Sequence, residues 1–237
     1  MYYVMSDLHG CYKEYKKMLE MIHFSENDIL FVLGDICDRG NDGISILFDM
    51  MRHDNIYPIL GNHDYLAAIL LRKGWEIDQT KDVDKINEEL ILQFRAWMID
   101  GGKPTIEAFQ NLSDEQKEMV LEYLEEFSLY EEIVVNDRSF IMVHAGFSHY
   151  EKGKKLDDYS LNDLIFEGND LNQIYYEDHI VIVGHTPTVM IDKNYAGKIY
   201  HQNNGYWIDC GCVFGYSLGC LCLDTMETFY VKKQSES

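Results

Sequence analysis

The reading turns on GDICDRG, residues 34–40, which follows directly on the apolar run DILFVL, residues 28–33. Such a run reads as a buried strand. It ends in Asp35, Asp38 and Arg39, bracketed by Gly34 and Gly40. Charges at the end of a buried strand are costly unless something pairs with them. The rest of the chain has to supply those partners.

On either side the pattern alternates. Tyr2 to Ser6 reads as a strand, and Tyr12, Tyr15, Met18, Leu19 and Ile22 recur at helical spacing. Ile44 to Met51 reads as a helix, Asn55 to Leu60 as a strand, and a helix starts at Tyr65. This β-α-β-α-β-α order predicts parallel strands covered by helices, with ligands bound beyond the carboxyl ends of the strands. The middle is different. Asp84 to Ile99 and Ser113 to Phe127 read as helices, the second opened by a Ser113/Gln116 capping box, with GGKPT between them as a turn-forming break. Residues from about 73 to 128 are thus expected to form a helical insertion within one domain covering 1–237. Leu129–Val135 and Ser139–Val143 flank Asn136-Asp137-Arg138 as a hairpin. Strands follow at Ile180–Val183, Tyr206–Cys212, Leu218–Leu223 and Thr228–Val231, and QSES closes the chain as a frayed tail.

Five of these strands end in residues able to bind metal. SDLHG carries Asp7 and His9, GDICDRG carries Asp35, GNHD carries Asn62 and His63, VHAG carries His144, and VGHTP carries His185. Each fragment alone is weak, but five in this order should converge on one crevice. His23, His53, His149, His179 and His201 lack this setting and read as ordinary histidines.

The 237 residues are 46% hydrophobic and 26% charged, with a formal net charge of -21. That balance disfavours nucleic acid and anionic membranes as partners. No stretch approaches the ~20 apolar residues of a membrane span. MYYVMSDLHG lacks the basic and apolar segments of a secretory signal, so a cytoplasmic location is expected. Cys210/Cys212 and Cys220/Cys222 form C-x-C pairs in strand-like segments, each pair expected on one sheet face as small buried side chains. Zinc is disfavoured by that spacing, and disulfides by the expected compartment.

The ordered motifs resemble the calcineurin-like metallophosphoesterase superfamily, and within it the PPP branch of serine/threonine phosphatases, whose pattern is GDxHG, GDxxDRG, GNHE, HGG or HAG, and GH. Gly-Gly-x-x-Thr at 101–105 and IDCGCVFG at 208–215 resemble bacterial relatives of the lambda phage phosphatase and the dinucleoside tetraphosphatase group. The resemblance implies a four-layer α/β/β/α sandwich of two mixed sheets. It implies two divalent metal ions, with Mn²⁺ expected and Fe or Zn²⁺ compatible with the mixed donors. Asp7, His9 and Asp35 would hold one; Asp35, Asn62, His144 and His185 would hold the other, Asp35 bridging. Such a pair lowers the pKa of a shared water and clamps phosphate oxygens. His63 would be the general acid, oriented by Asp38, while Arg39 and Asn62 would bind the substrate phosphate.

Two departures stand out. Asp64 replaces the family glutamate and reads as a supporting group. No arginine follows Arg138, so the second phosphate-gripping arginine, sought in LNDLIFEGND (161–170), has no counterpart. Tyr216, in the loop after Cys212, reads as an aromatic over the site or as ordinary packing, with packing the default. The function expected from the resemblance is a phosphomonoesterase acting on phosphoserine or phosphothreonine in proteins. Hydrolysis of dinucleoside polyphosphates is the alternative, sharing every motif, and a non-catalytic scaffold is the third reading. The partner is accordingly a phosphoprotein or a small phosphorylated substrate.

Overall fold

The computed structural model describes residues 1–81 and 83–234. The last three residues of the expected tail lie outside the described residues. In chain order the first half contains β1 (Tyr2–Met5), α1 (Tyr12–Met21), β2 (Ile29–Val32), α2 (Gly43–Met50), β3 (Ile56–Pro58) and α3 (Asn62–Thr80). The middle contains α4 (Glu88–Trp97), α5 (Lys103–Gln110) and α6 (Asp114–Glu125). The second half contains β4 (Tyr130–Val135), β5 (Arg138–Val143), α7 (Leu161–Ile165), β6 (His179–Val183), α8 (Thr188–Ile191), β7 (Tyr200–Gln202), β8 (Gly205–Trp207), β9 (Ser217–Cys222) and β10 (Thr228–Lys232).

The strands make two mixed five-stranded sheets, ordered β10-β9-β1-β2-β3 and β4-β5-β6-β8-β7. In the first, β1, β2 and β3 are parallel, with Val4 opposite Phe31 and Met5 opposite Val32. In the second, β5, β6 and β8 are parallel. The alternation of side chains shows how the sheets stack. Val4, Phe31, Leu33 and Leu221 from one sheet and Phe140, Met142 and Ile182 from the other fill a single inter-sheet core. Their neighbours in sequence, Met5, Leu30, Val32, Ile141, Val143, Val181 and Val183, belong to the outer cluster with Tyr15, Met18 and Leu47 of the helices. A strand buried on both faces has to read as a continuous apolar run, as DILFVL does. Over the second sheet the cover is thinner in helix: Phe147, Leu164, Ile165 and Tyr175, from the segment between β5 and β6, join that outer cluster. Among the described residues no helix is long and apolar enough to cross a membrane.

GGKPT does break the helices: Gly101, at φ 113°, is non-helical inside the π-helical segment Met98–Gly102, and α5 begins directly after it with Pro104 in its first turn. Proline is tolerated there because its missing N–H would have had no partner. Two local expectations need correction, both after β8. The strand expected over Tyr206–Cys212 stops at Trp207, and a turn with Gly211 in the left-handed region carries the chain away. Cys210 therefore faces the inter-sheet core while Cys212 joins the outer cluster, so that pair does not share a face. Cys220 and Cys222, inside β9, do. The β4–β5 hairpin turns at Asn136 and Asp137, with φ of 49° and 61°, the doubly positive pattern of a two-residue I′ turn.

Gly34 sits where the ends of β2 and β3 meet, at φ 75°. A Cβ there would run into the backbone of Gly61 and approach within 2.9 Å of His144 Nδ1. Replacing Gly34 with alanine combines a disfavoured conformation with a collision against main chain. The expected loss is more than about 2 kcal/mol, read as a lower urea midpoint at unchanged m-value; a midpoint within error of wild type would show that the two loops can part without cost.

Candidate dimetal site

The carboxyl ends of β1, β2, β3, β5 and β6 bring Asp7, His9, Asp35, Asn62, His63, His144 and His185 together. All but the partly exposed His185 are buried. Asp35 is central. Its Oδ2 lies 3.4 Å from His9 Nε2 and its Oδ1 3.5 Å from His144 Nε2. Burial alone would raise this carboxyl, but the imidazoles of His144, His9 and His63 hold it well below the usual carboxylate range. Two overlapping groups have ligand atoms within 4.8 Å of one another: His9, Asp35 and His63, and Asp35, His144 and His185.

The ring tautomers suit metal binding. Backbone carbonyls of Cys37 and Leu33 accept from Nδ1 of His9 and His144 at 2.8 and 2.7 Å, which leaves each Nε2 as the lone-pair nitrogen turned toward Asp35. Asn62 Oδ1 lies 3.0 Å from both His144 Nε2 and His185 Nδ1, and those nitrogens are 3.2 Å apart. Burial and the neighbouring His144 push His185 down to about 4, so it is a neutral donor ring. Asp7 binds the His185 amide with Oδ2 at 3.0 Å and also accepts from Ser6 Oγ, but its buried Oδ1 has no hydrogen-bond partner. An orphaned carboxylate oxygen among converging lone pairs fits divalent cations, which supply charge rather than protons. Asp7 and His185, far apart in sequence, are thus in direct contact. The glycine beside His185 has a reason: a Cβ on Gly184 would collide with Ser6 Oγ and Asp7 Oδ2.

His63, a member of the first of the two overlapping groups, has a second set of partners. Its Nδ1 hydrogen-bonds Asp38 Oδ2 at 2.8 Å, and Asp38 also accepts from Trp97 Nε1 at 2.7 Å and Thr105 Oγ1 at 2.6 Å. Burial works against the imidazolium, but the Asp38 bond and the Asp35 charge outweigh it and raise His63 to about 9. Arg39 reaches His9 Nε2 with Nη1, stacks on Phe214 with Cζ 5.4 Å from the ring centre, and approaches Asp100 at 3.6 Å. Its amide donates to Gly101 O at 2.8 Å. Asp100 also lies 3.7 Å from His63 Nε2, so its carboxylate stands between the acid and the arginine. Asp64 accepts the Ile36 and Cys37 amides at 3.0 Å each and makes the GDICDRG loop rather than facing the metal-capable groups. Asp7, His9, Asp35, Asp38, Arg39 and His185 all have φ between 38° and 70°. Such strain persists only where the surroundings impose it, and it clusters at functional sites.

Sequence reading missed Trp97 and Asp100, while Phe214 stood in IDCGCVFG without a role of its own. Thr105 stood in the Gly-Gly-x-x-Thr motif, whose first glycine supplies the carbonyl for Arg39 and whose threonine holds Asp38. Tyr216 packs instead against Gly211, whose Cβ position lies 3.0 Å from the tyrosine ring; the aromatic over Arg39 is Phe214.

A family model described as calcineurin-like phosphoesterase matches residues 2–215. A symmetrical bis(5'-nucleosyl)-tetraphosphatase of Wigglesworthia glossinidia brevipalpis is 39% identical over 93 residues, 38% of this chain and 32% of that protein. The chain thus matches about a third of that curated relative's length. A solved structure called a putative diadenosine tetraphosphatase aligns over 99% of this chain and 94% of its own, with a TM-score of 0.64 at 17% identity. A Saccharomyces cerevisiae serine/threonine phosphatase aligns over 100% and 80%, with a TM-score of 0.59 at 10% identity. At these identities the structures speak for the fold alone. The names of the sequence relatives overturn the expectation of a serine/threonine protein phosphatase: relatives matched in sequence are named as symmetrical tetraphosphatases, and the motifs behind that expectation do not define what a phosphate is attached to. With the family model running from Tyr2 to Gly215, the chain belongs to the calcineurin-like phosphoesterases.

Proposed function

We propose that this chain hydrolyses dinucleoside polyphosphates, diadenosine tetraphosphate among them, through a pair of divalent ions held around Asp35. The observation that carries the chemistry is the His63–Asp38 pair set beside Arg39 at the edge of a lone-pair cluster that shares one carboxylate. The substrate class is supported by the curated relatives, named as symmetrical bis(5'-nucleosyl)-tetraphosphatases. In this reading Asp7, His9 and Asp35 hold one ion, and Asp35, Asn62, His144 and His185 the other. Mn²⁺ is the first candidate, since nitrogen and oxygen donors are mixed. Such ions, when bound, activate water and polarise phosphoryl oxygens.

The protein's own groups do the rest. Arg39 presents a planar fork to phosphate oxygens, with Phe214 against one face to keep it extended. His63 carries its proton at Nε2 and gives it to the departing oxygen. Asp38 fixes the opposite nitrogen, and its bonds from Trp97 and Thr105 fix Asp38 in turn. Holding the acid and the phosphate grip on rigid strand ends reduces the reorganisation needed at the moment of reaction.

The substrate reading is tested by assaying the Mn²⁺-loaded chain on diadenosine tetraphosphate and a phosphoserine peptide. The dinucleotide is expected to have the higher kcat/KM; preference for the peptide would overturn it. Asp35→Asn is expected to reduce bound metal from two ions per chain to one or none, since both positions share that charge, whereas His144→Ala weakens mainly one. Metal analysis after gel filtration checks this, and two tightly held ions in Asp35→Asn would remove Asp35 as the bridge.

A general acid contributes ~10² to 10⁴-fold where the leaving group needs its proton. His63→Asn is therefore expected to lose more activity on phenyl phosphate than on p-nitrophenyl phosphate, whose phenolate leaves readily; equal losses would exclude the role. The acid must be protonated, so activity falls as pH rises through the His63 pKa. Asp38 raises that pKa, so Asp38→Asn is expected to move the alkaline limb of kcat to lower pH. An unmoved limb would separate Asp38 from His63.

A further inference from the structure

Phe214 is 53% exposed, unusual for a large aromatic seated against the guanidinium of a phosphate-binding arginine. It ends a short turn, Cys212–Phe214, whose flanking Gly211 and Gly215 have φ of 72° and 90°. One face of the ring meets Arg39 and the remainder faces solvent. Phe166 is 37% exposed. It stands edge-on to Tyr65, centroids 6.2 Å apart, and Tyr65 follows Asn62 by three residues on α3. Two residues beyond Phe166, a Cβ on Gly168 would lie 3.0 Å from Thr186 Oγ1, next to His185, so this segment runs along the His185 loop. The two aromatics therefore attach to opposite sides of Asp35: Phe214 to the side of His9 and Arg39, Phe166 to the side of His144, His185 and Asn62.

Phe166 also lies in the segment that was expected to supply a second phosphate-gripping arginine, 161–170. What that segment carries, edge-on to Tyr65, is a ring. A cation there would add grip on phosphate; a ring adds nothing to phosphate binding but offers a π-face. Every nucleobase has a π-face, and aromatic stacking recognises bases with little regard to sequence.

We propose that Phe214 and Phe166 are stacking platforms for the two nucleobases of a two-ended substrate, one at each end of the phosphate grip. This rests on the dinucleoside polyphosphate reading. On the Phe214 side the order is guanidinium, phenyl ring, base, so the residue that steadies Arg39 also continues its stack outward. Both are specificity residues rather than catalytic ones.

The test uses the full-length Mn²⁺-loaded enzyme and compares the KM for diadenosine tetraphosphate with the competitive inhibition constant of inorganic phosphate, which has no base. Phe166→Ala is expected to raise that KM about tenfold, within the range of one base stack, and to change the phosphate constant less than about twofold; Phe214→Ala, which also loosens Arg39, is expected to raise the KM about tenfold more than it raises the phosphate constant. Phe214→Tyr and Phe166→Tyr should restore the KM, because they keep the ring. If Phe214→Ala weakens both equally, the ring acts only by steadying Arg39 and the platform is overturned. An unchanged KM in both alanine variants overturns it as well. A wild-type enzyme that hydrolyses p-nitrophenyl phosphate but ignores the dinucleotide would instead overturn the substrate reading, and with it this inference. Circular dichroism and thermal melting identify any variant whose effect comes from misfolding.

Discussion

A single buried carboxylate, Asp35, sets the terms for everything around it. A lone ionised carboxylate at zero solvent access would be neutralised by its surroundings. Here each oxygen faces an imidazole nitrogen from a different strand end, 3.4 and 3.5 Å away, and a third imidazole, His63, adds its field. Asp35 can remain charged only while the ends of β1, β2 and β5 stay together. Those ends stay together only because the two sheets are stacked with their inner faces filled. The charges at the end of the apolar run have three separate sets of partners: imidazoles for Asp35, a histidine, an indole and a threonine for Asp38, and a phenyl ring with a carboxylate for Arg39.

What the sequence could and could not disclose follows from which interactions are local. The strand-terminal motifs were legible because each is a short run of chain with one job: an apolar strand, a glycine that allows close approach, then a ligand. The alternating first half was legible for the same reason, since burial on both faces leaves a continuous apolar signature. The roles of Trp97, Asp100 and Phe214 were not legible. These residues sit on helix-end and loop segments whose sequence encodes their own turn, while their function comes from meeting Asp38, His63 and Arg39 across the cleft. Asp38 and Trp97 are 59 residues apart. GGKPT was legible because its signal is local: Gly101 kinks the chain and Pro104 opens the next helix. The segment after β8 was not, because Cys210 and Cys212 alternate only as long as the strand lasts.

The correction of substrate class has a physical basis as well. The residues that match the protein phosphatases form the floor of the site, and motifs for metal and phosphate binding carry no information about the remainder of a substrate. Discrimination has to come from the walls. Phe214 and Asp100 stand beside Arg39 as one wall; Asp100 lies outside the shared motifs, and Phe214 lies within IDCGCVFG.

The strained backbone at the floor completes the picture. Asp7, His9, Asp35, Asp38, Arg39 and His185 all occupy the left-handed region, each at a cost on the order of 1–3 kcal/mol. No side chain among them gains by this conformation alone. The gain is directional: a residue placed just past a strand end in that region turns its side chain back over the end of the sheet, toward its counterparts from neighbouring strands. The cost is offset by hydrogen bonds that bind each loop to another, His9 N to Asp35 O at 2.8 Å, Gly10 N to Ile36 O at 3.0 Å, and Gly184 N to His144 O at 2.8 Å. The loops are therefore mutually braced, and the same bracing that tolerates the strain holds the metal-capable atoms at fixed separations. A site assembled in this way can differ in its walls from one relative to another without disturbing the floor, which is why the floor is readable from short motifs and the walls are not.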